Sequence, residues 1–142
     1  MPEVSFYVLN TRSAQERLVF VCKLVEKAYR SGHFCYVLTD DLEQSQQLDD
    51  LLWSFRPGSF IPHLIYAGIT PDPMNRVLIG QLPAPDGWQL TQINLSNDCP
   101  SHFLQTQRIL EILDENGAIK VAGRQRYRAY QQAGIEPLTH KL

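Results

Sequence analysis

Residues 4 to 39 hold a strand-type run, an amphipathic repeat and a second strand-type run, and this order constrains the fold more than any other feature. Val4-Ser5-Phe6-Tyr7-Val8-Leu9 is β-branched and aromatic and reads as a buried strand. Asn10 to Ser13 is a polar break with two candidate helix caps, Thr11 and Ser13. Apolar residues then recur at Leu18, Val21, Cys22, Val25, Ala28 and Tyr29, with Glu16, Lys23, Lys27 and Arg30 on the opposite side. Gly32 closes that helix, because glycine takes the left-handed conformation that ends helices. Phe34-Cys35-Tyr36-Val37-Leu38-Thr39 is the second strand. Strand, helix, strand is a βαβ unit, whose crossover is right-handed and whose strands run parallel.

The rest of the chain continues the alternation. Asp40 is placed to cap a second helix running through Trp53, with Leu42, Leu48, Leu51 and Leu52 as its apolar members. His63 to Tyr66, Arg76 to Gly80 and Gln89 to Leu95 read as further strands, linked by proline- and glycine-rich surface loops. Pro100 to Gln107 reads as a short helix. Ile109 to Leu113 fits a short strand or one helical turn equally well. Asn116-Gly117 is a turn signal, and the stretch from Gly123 to Gly134 follows as the last helix. The pattern predicts one α/β domain over residues 1–142, a three-layer, Rossmann-like fold around a mostly parallel central sheet. A length of 142 residues suits one such core.

An α/β pattern invites a nucleotide-binding reading, and the motifs that would support one are missing. Neither G-x-x-x-x-G-K-[ST] nor G-x-G-x-x-G follows the first strand. Asn10-Thr11-Arg12-Ser13 occupies that turn, with no glycine to let a phosphate approach the backbone. There is no G-x-S-x-G elbow. His33, His63, His102 and His140 are scattered, without metal-type spacing. The acidic residues Asp40, Asp41, Glu43, Asp49 and Asp50 have no partner base and read as a solvated face with a helix start. Cys99 beside His102 is a weak candidate for a nucleophile. Three widely spaced cysteines, Cys22, Cys35 and Cys99, form neither a disulfide framework nor a zinc cluster and point to a reducing cytoplasm. No signal peptide or apolar span of membrane length is visible. No catalytic residue, cofactor or metal is expected.

Two stretches remain. Arg124 to Tyr130 packs three arginines and two tyrosines into seven residues of a chain whose net charge is −2, and no acid lies between Glu115 and Glu136. In a helix, Arg124, Tyr127, Arg128 and Gln131 share one face, while Arg126, Tyr130 and Ala133 point elsewhere. That face is either a solvated basic surface or a receptor for carboxylates or phosphates. The second stretch, Trp53 to His63, puts one Trp, two Phe and two Pro in eleven residues. Such a turn either pins a loop to the core or presents exposed aromatic anchors to a protein partner.

At these two places the chain resembles a known family. L-W-S-F-R-P-G-S-F-I-P-H at Leu52 to His63, together with R-x-R-Y-R-x-Y-x-x-A-G at Arg124 to Gly134, resembles the chi subunit of the bacterial DNA polymerase III holoenzyme. F-Y-V-L at Phe6 to Leu9 and A-Y-R-S-G at the end of the first helix match as well, while Gly68 to Gly87 matches poorly. The resemblance implies a non-catalytic accessory subunit. It would join the psi subunit of the clamp-loader complex to the acidic, Phe-terminated C-terminal tail of single-stranded DNA-binding protein. The family's tail-binding residues carry over to Arg124, Tyr127 and Arg128, the last commonly lysine in the family. The psi-facing turn carries over to Trp53, Phe60 and Pro62, a surface that a helicase partner also engages in the family, in competition with psi. The chain is a few residues shorter than better-known members between Ile112 and Arg124, and the resemblance favours a strand over Arg108 to Leu113. Direct binding of single-stranded nucleic acid, arginines on phosphates and tyrosines under bases, is the alternative; the acidic net charge and small patch weigh against it. Neither direct DNA binding nor a membrane partner is expected.

Overall fold

A computed structural model describes residues 1–142. β1 (Glu3–Val8) leads through α1 (Ala14–Arg30) to β2 (Cys35–Leu38), and α2 (Leu42–Ser54) leads on to β3 (His63–Ile65). β4 (Val77–Gly80) and β5 (Thr91–Asn94) follow without intervening helices. A single 3₁₀ turn at Phe103–Gln105 precedes β6 (Arg108–Leu113), after which come α3 (Gly117–Gln132) and β7 (Leu138–Lys141). The seven strands form one sheet in the order β3-β4-β2-β5-β6-β1-β7, every pairing parallel. The three-layer α/β expectation holds, and the sheet is wholly rather than mostly parallel.

Side-chain alternation sorts the two faces. α1 and α2 bury Leu18, Val21, Cys22, Val25, Leu48 and Leu52 against Val37, Val77, Ile79, Ile93, Leu110 and Ile112. On the opposite face, Tyr130 of α3 packs with Val4, Phe6, Ile109 and Leu113. No helix covers that face over β2 and β4. The proline-rich loop between β4 and β5 does so instead, setting Trp88 against Tyr36, Leu38 and Leu78. Tyr36 donates from its hydroxyl to the Leu82 carbonyl (2.6 Å), and Trp88 donates from Nε1 to the Asn75 carbonyl (2.9 Å). The central strands are buried on both sides, as parallel strands between two covering layers must be. Cys22 and Cys35 are small core residues whose thiols burial pushes up to about 12.

Several local expectations are refined. Ser13 caps α1, its Oγ accepting from the Glu16 N–H at 3.1 Å, while Thr11 Oγ1 donates to the Glu16 carboxylate. Gly32 closes α1 at φ +80°, and the His33 N–H reaches back to the Ala28 carbonyl. Asp41, not Asp40, caps α2, accepting from the Gln44 N–H at 2.8 Å. Asp40 is used elsewhere: its carboxylate accepts from the backbone N–H and Nδ2 of Asn97, tying the end of β2 to the loop after β5. The segment from Pro100 to Gln107 makes one 3₁₀ turn rather than a helix, since it must turn back within a few residues to start β6. α3 begins at Gly117, six residues before Gly123. β7 was not anticipated: Leu138-Thr139-His140-Lys141 is exposed throughout and has no apolar pattern to announce a strand.

Candidate functional site: an edge groove and an aromatic patch

At the carboxyl ends of the neighbouring strands β1 and β6, whose connections cross on their way to β2 and to β7, the chain is bridged to itself. The Glu115 N–H donates to the Thr11 carbonyl (2.8 Å), and Asn116 Nδ2 donates to the Arg12 carbonyl (3.1 Å). Asp114, fully buried, holds Asn116 from the other side. The largest cavity, about 620 Å³ beside the start of α1, has one cation, Lys23, and one carboxylate, Glu16, so it favours neither sign of charge.

α3 is held to the sheet by a buried ionic cluster. Arg126 donates from Nε to Glu111 Oε1 (3.0 Å) and from Nη1 to the Asn97 carbonyl (3.1 Å). Glu111 Oε2 accepts from the Tyr130 hydroxyl (2.6 Å) and Asn94 Nδ2 (3.0 Å). Burial pushes the Glu111 carboxyl up from its ordinary value, and the Arg126 guanidinium opposes that push. Three donors converge on the carboxyl, so the ionised form is the one this cluster holds. Arg126 and Tyr130 thus seat the helix and leave Arg124, Tyr127 and Arg128 to its other sides. Gly123 marks a close approach of α3 to β6: a Cβ there would stand 2.7 Å from Leu113 Cδ1.

Between α3 and the β1–β7 edge lies a groove of about 320 Å³. Phe6 and Val8 of β1, Leu113 of β6 and Tyr127 of α3 give it an apolar lining. Lys120 and Arg124 of α3 and Thr139 and Lys141 of β7 complete the wall. Tyr127 is braced on both sides, its ring 5.2 Å from that of Phe6 and its hydroxyl donating to the Pro137 carbonyl at 3.4 Å. Lys120 is paired with Glu115 (2.5 Å), a hydrogen bond that holds the Glu115 carboxyl below its ordinary value. Arg124, Arg128 and Lys141 form no ion pair within the chain. Of the sequence-predicted residues, Arg124 and Tyr127 line the groove together; Arg128 is exposed on α3 but outside the lining. Sequence reasoning missed Lys120 and Lys141. Lys120 sits four residues before Arg124, one helical turn away, a spacing readable once the helix is known to start at Gly117. Lys141 had no signal apart from the unrecognised strand that carries it.

The aromatic turn both pins a loop and exposes anchors. Phe55 and Ile61 pack against the core. Glu26 of α1 ties the loop down, accepting from Ser59 Oγ (2.7 Å) and pairing with Arg56 Nε (3.1 Å). The Ser59 hydrogen bond first, and then the Arg56 and Arg30 charges, hold the Glu26 carboxyl below its ordinary value. Phe60 is 80% exposed and Trp53 50%, their rings edge-to-face at 5.9 Å. Trp53 also lies 4.4 Å from the ring of buried His63, whose Nδ1 meets the Ile61 carbonyl (2.7 Å) and whose Nε2 meets Asp49 Oδ1 (3.0 Å). Pro62 is half-buried between them in sequence. This patch belongs to the β3 edge and the groove to the β7 edge, six strand spacings apart, or about 29 Å.

Fold and surfaces together define a parallel α/β domain with a basic-rimmed groove at one sheet edge and an exposed aromatic patch at the other. Residues 1–138 match the model of the family described as "DNA polymerase III chi subunit, HolC". The chain is 34% identical over 142 residues to the DNA polymerase III subunit chi of Pseudomonas aeruginosa, covering 100% of this chain and 98% of that one. It is 26% identical over 149 residues to the Escherichia coli subunit of the same name, covering 95% of both, and 24% identical over 131 residues to that of Haemophilus influenzae, covering 91% and 90%. The chain belongs to the DNA polymerase III chi subunit family. No helix is long and apolar enough to cross a membrane.

Proposed function

We propose that this chain is a non-catalytic accessory subunit of the replicative polymerase. In this reading it joins the psi subunit of the clamp-loader complex to the acidic C-terminal tail of single-stranded DNA-binding protein. The observation that carries the proposal is the groove, in which unpaired cations stand around an apolar lining. A tail ending in Asp-Asp-Asp-Ile-Pro-Phe chemistry presents a ring, a terminal carboxylate and a run of side-chain carboxylates. Arg124 takes the terminal carboxylate with its two-pronged donor geometry, and Phe6, Leu113 and Tyr127 receive the ring. Lys120, Lys141 and, further out, Arg128 attract the acidic run. Each charge-assisted contact contributes roughly 1.5–3 kcal/mol before ordering costs, which sets a micromolar expectation.

Trp53, Phe60 and Pro62 supply the psi-facing surface in this reading, and a helicase partner using the same patch competes with psi. The two surfaces lie at opposite sheet edges, so nothing in their spacing sets one partner against the other. Titration of a fluorescent tail peptide against the wild type and Arg124→Ala tests the assignment. Loss of affinity in the variant supports it, and equal affinity refutes it.

A further inference from the structure

β7 is an edge strand, and its two sides are used unequally. The Leu142 N–H donates to the Val8 carbonyl (3.0 Å), and the register pairs Phe6 with Thr139 and Val8 with Lys141. In a parallel ladder alternate residues of a strand turn both backbone groups toward the same neighbour. Leu138 and His140, in step with Leu142, therefore bond to β1. Thr139 and Lys141 turn their N–H and C=O groups toward the open edge, where no strand follows. These same two residues direct their side chains into the groove. At one place, then, a row of unpaired backbone groups adjoins a basic-rimmed binding groove.

Edge strands left open are ordinarily blunted by proline, by bulges or by a covering element. β7 is short, follows Pro137 and carries Lys141, but within its four residues it has no proline, bulge or cover, pairs in continuous register, and turns the Lys141 side chain into the groove. The charge next to the β7 edge is positive, from Lys141, Lys120 and Arg124, and the free cations there select an acidic segment.

We propose that the acidic peptide whose carboxylate end enters the groove lays its preceding residues along β7 as an eighth strand, bonding to the backbone of Thr139 and Lys141. This rests on the groove reading given above and adds to it a backbone-mediated grip, the mode by which extended peptides join exposed sheet edges. It makes the affinity depend on peptide backbone as well as on the terminal ring and charge. Alternate residues of the bound segment direct their side chains to the α3 face, within reach of Lys120 and Lys141.

The test is a series of acidic, Phe-terminated peptides with a free carboxylate, each carrying one N-methyl amide upstream of the terminal residues, titrated against the wild-type protein. Strand addition predicts alternation along the series, every second substitution weakening binding roughly fivefold for the lost hydrogen bond. It also predicts slowed amide hydrogen exchange at Thr139 and Lys141 on peptide binding. A flat series with unchanged exchange at those amides overturns strand addition; if Arg124→Ala still abolishes binding, the groove reading stands without it. No binding of the unmodified peptide overturns both. Protection of the two amides that rises with protein concentration in the absence of peptide places a second copy on the edge, and overturns the proposal as well. A Thr139→Pro variant, which deletes an outward N–H and no bond to β1, is expected to bind the unmodified peptide more weakly.

Discussion

Arg126 and Glu111 form a fully enclosed ion pair, Nε to Oε1 at 3.0 Å, with side chains only 4% and 0% exposed. The pair links the middle of α3 to the middle of β6, and it decides which faces of the helix are left for binding. Arg126→Ala leaves the Glu111 carboxylate buried with its strongest partner gone, and is expected to cost about 3–5 kcal/mol. Tyr130→Phe removes one donor from the same carboxylate and is expected to cost about 1–3 kcal/mol. Chemical denaturation of both variants checks the order; a loss below 1 kcal/mol for Arg126→Ala would show that the cluster does not seat the helix.

Gly123 faces Leu113 across a close approach of α3 to β6. Gly123→Ala gains about 1 kcal/mol of helix propensity and loses about 1–3 kcal/mol to overpacking, so net stability changes by no more than about 2 kcal/mol. The contacted atoms are the branched end of Leu113, which lines the groove, so relief comes by turning that end into the groove. Tail-peptide affinity is expected to fall severalfold while the melting temperature moves by only a few degrees. Unaltered affinity would mean that Leu113 moves away from the groove.

Phe60 is largely exposed in the free chain, so truncating it changes stability little, whereas Trp53 is half-buried against His63 and its truncation is expected to cost more. Under the proposed function they anchor the psi-facing surface, so Trp53→Ala or Phe60→Ala is expected to weaken psi binding by about 2 kcal/mol or more, leaving tail binding intact. Co-elution of psi with either folded variant at wild-type strength would refute the assignment.

Glu26 holds the aromatic turn through Ser59 and Arg56, and its carboxyl lies below the ordinary value of 4.5. A carboxyl depressed on folding contributes stability above its unfolded value, and this contribution is lost as pH falls through the folded one. Wild-type stability is therefore expected to drop on acidification below about pH 4.5 more steeply than that of Glu26→Gln, which carries no such titration. Thermal melts from pH 6 to 3 compare the slopes; parallel slopes would remove Glu26 from the account.

The order of elements was legible because the parallel strands carry nearly continuous apolar runs, at Phe6–Val8, Tyr36–Leu38 and Val77–Ile79, and α1 is strongly amphipathic. β7 was not, because an exposed edge strand of Leu-Thr-His-Lys carries no pattern that distinguishes it from a polar tail. The same gap hid Thr139 and Lys141, which form one wall of the groove. Arg124 and Tyr127 were readable from helical spacing, as was the placing of Arg126 and Tyr130 on other sides of the helix. Spacing could not show that the sheet edge meets the helix nearer Lys120 than Arg128. Asp40 and Asp41 compete for one cap, and only the position of Asn97, 57 residues on, decides between them.

The most direct test of the bridging account is to titrate a fluorescent, Phe-terminated acidic tail peptide into three samples: the free protein, its complex with psi, and the Arg124→Ala variant. Binding of micromolar strength that is the same with and without psi, weakens with salt, and falls at least tenfold in Arg124→Ala is the expected result. Equal affinity in the variant, or loss of tail binding once psi is bound, would contradict it.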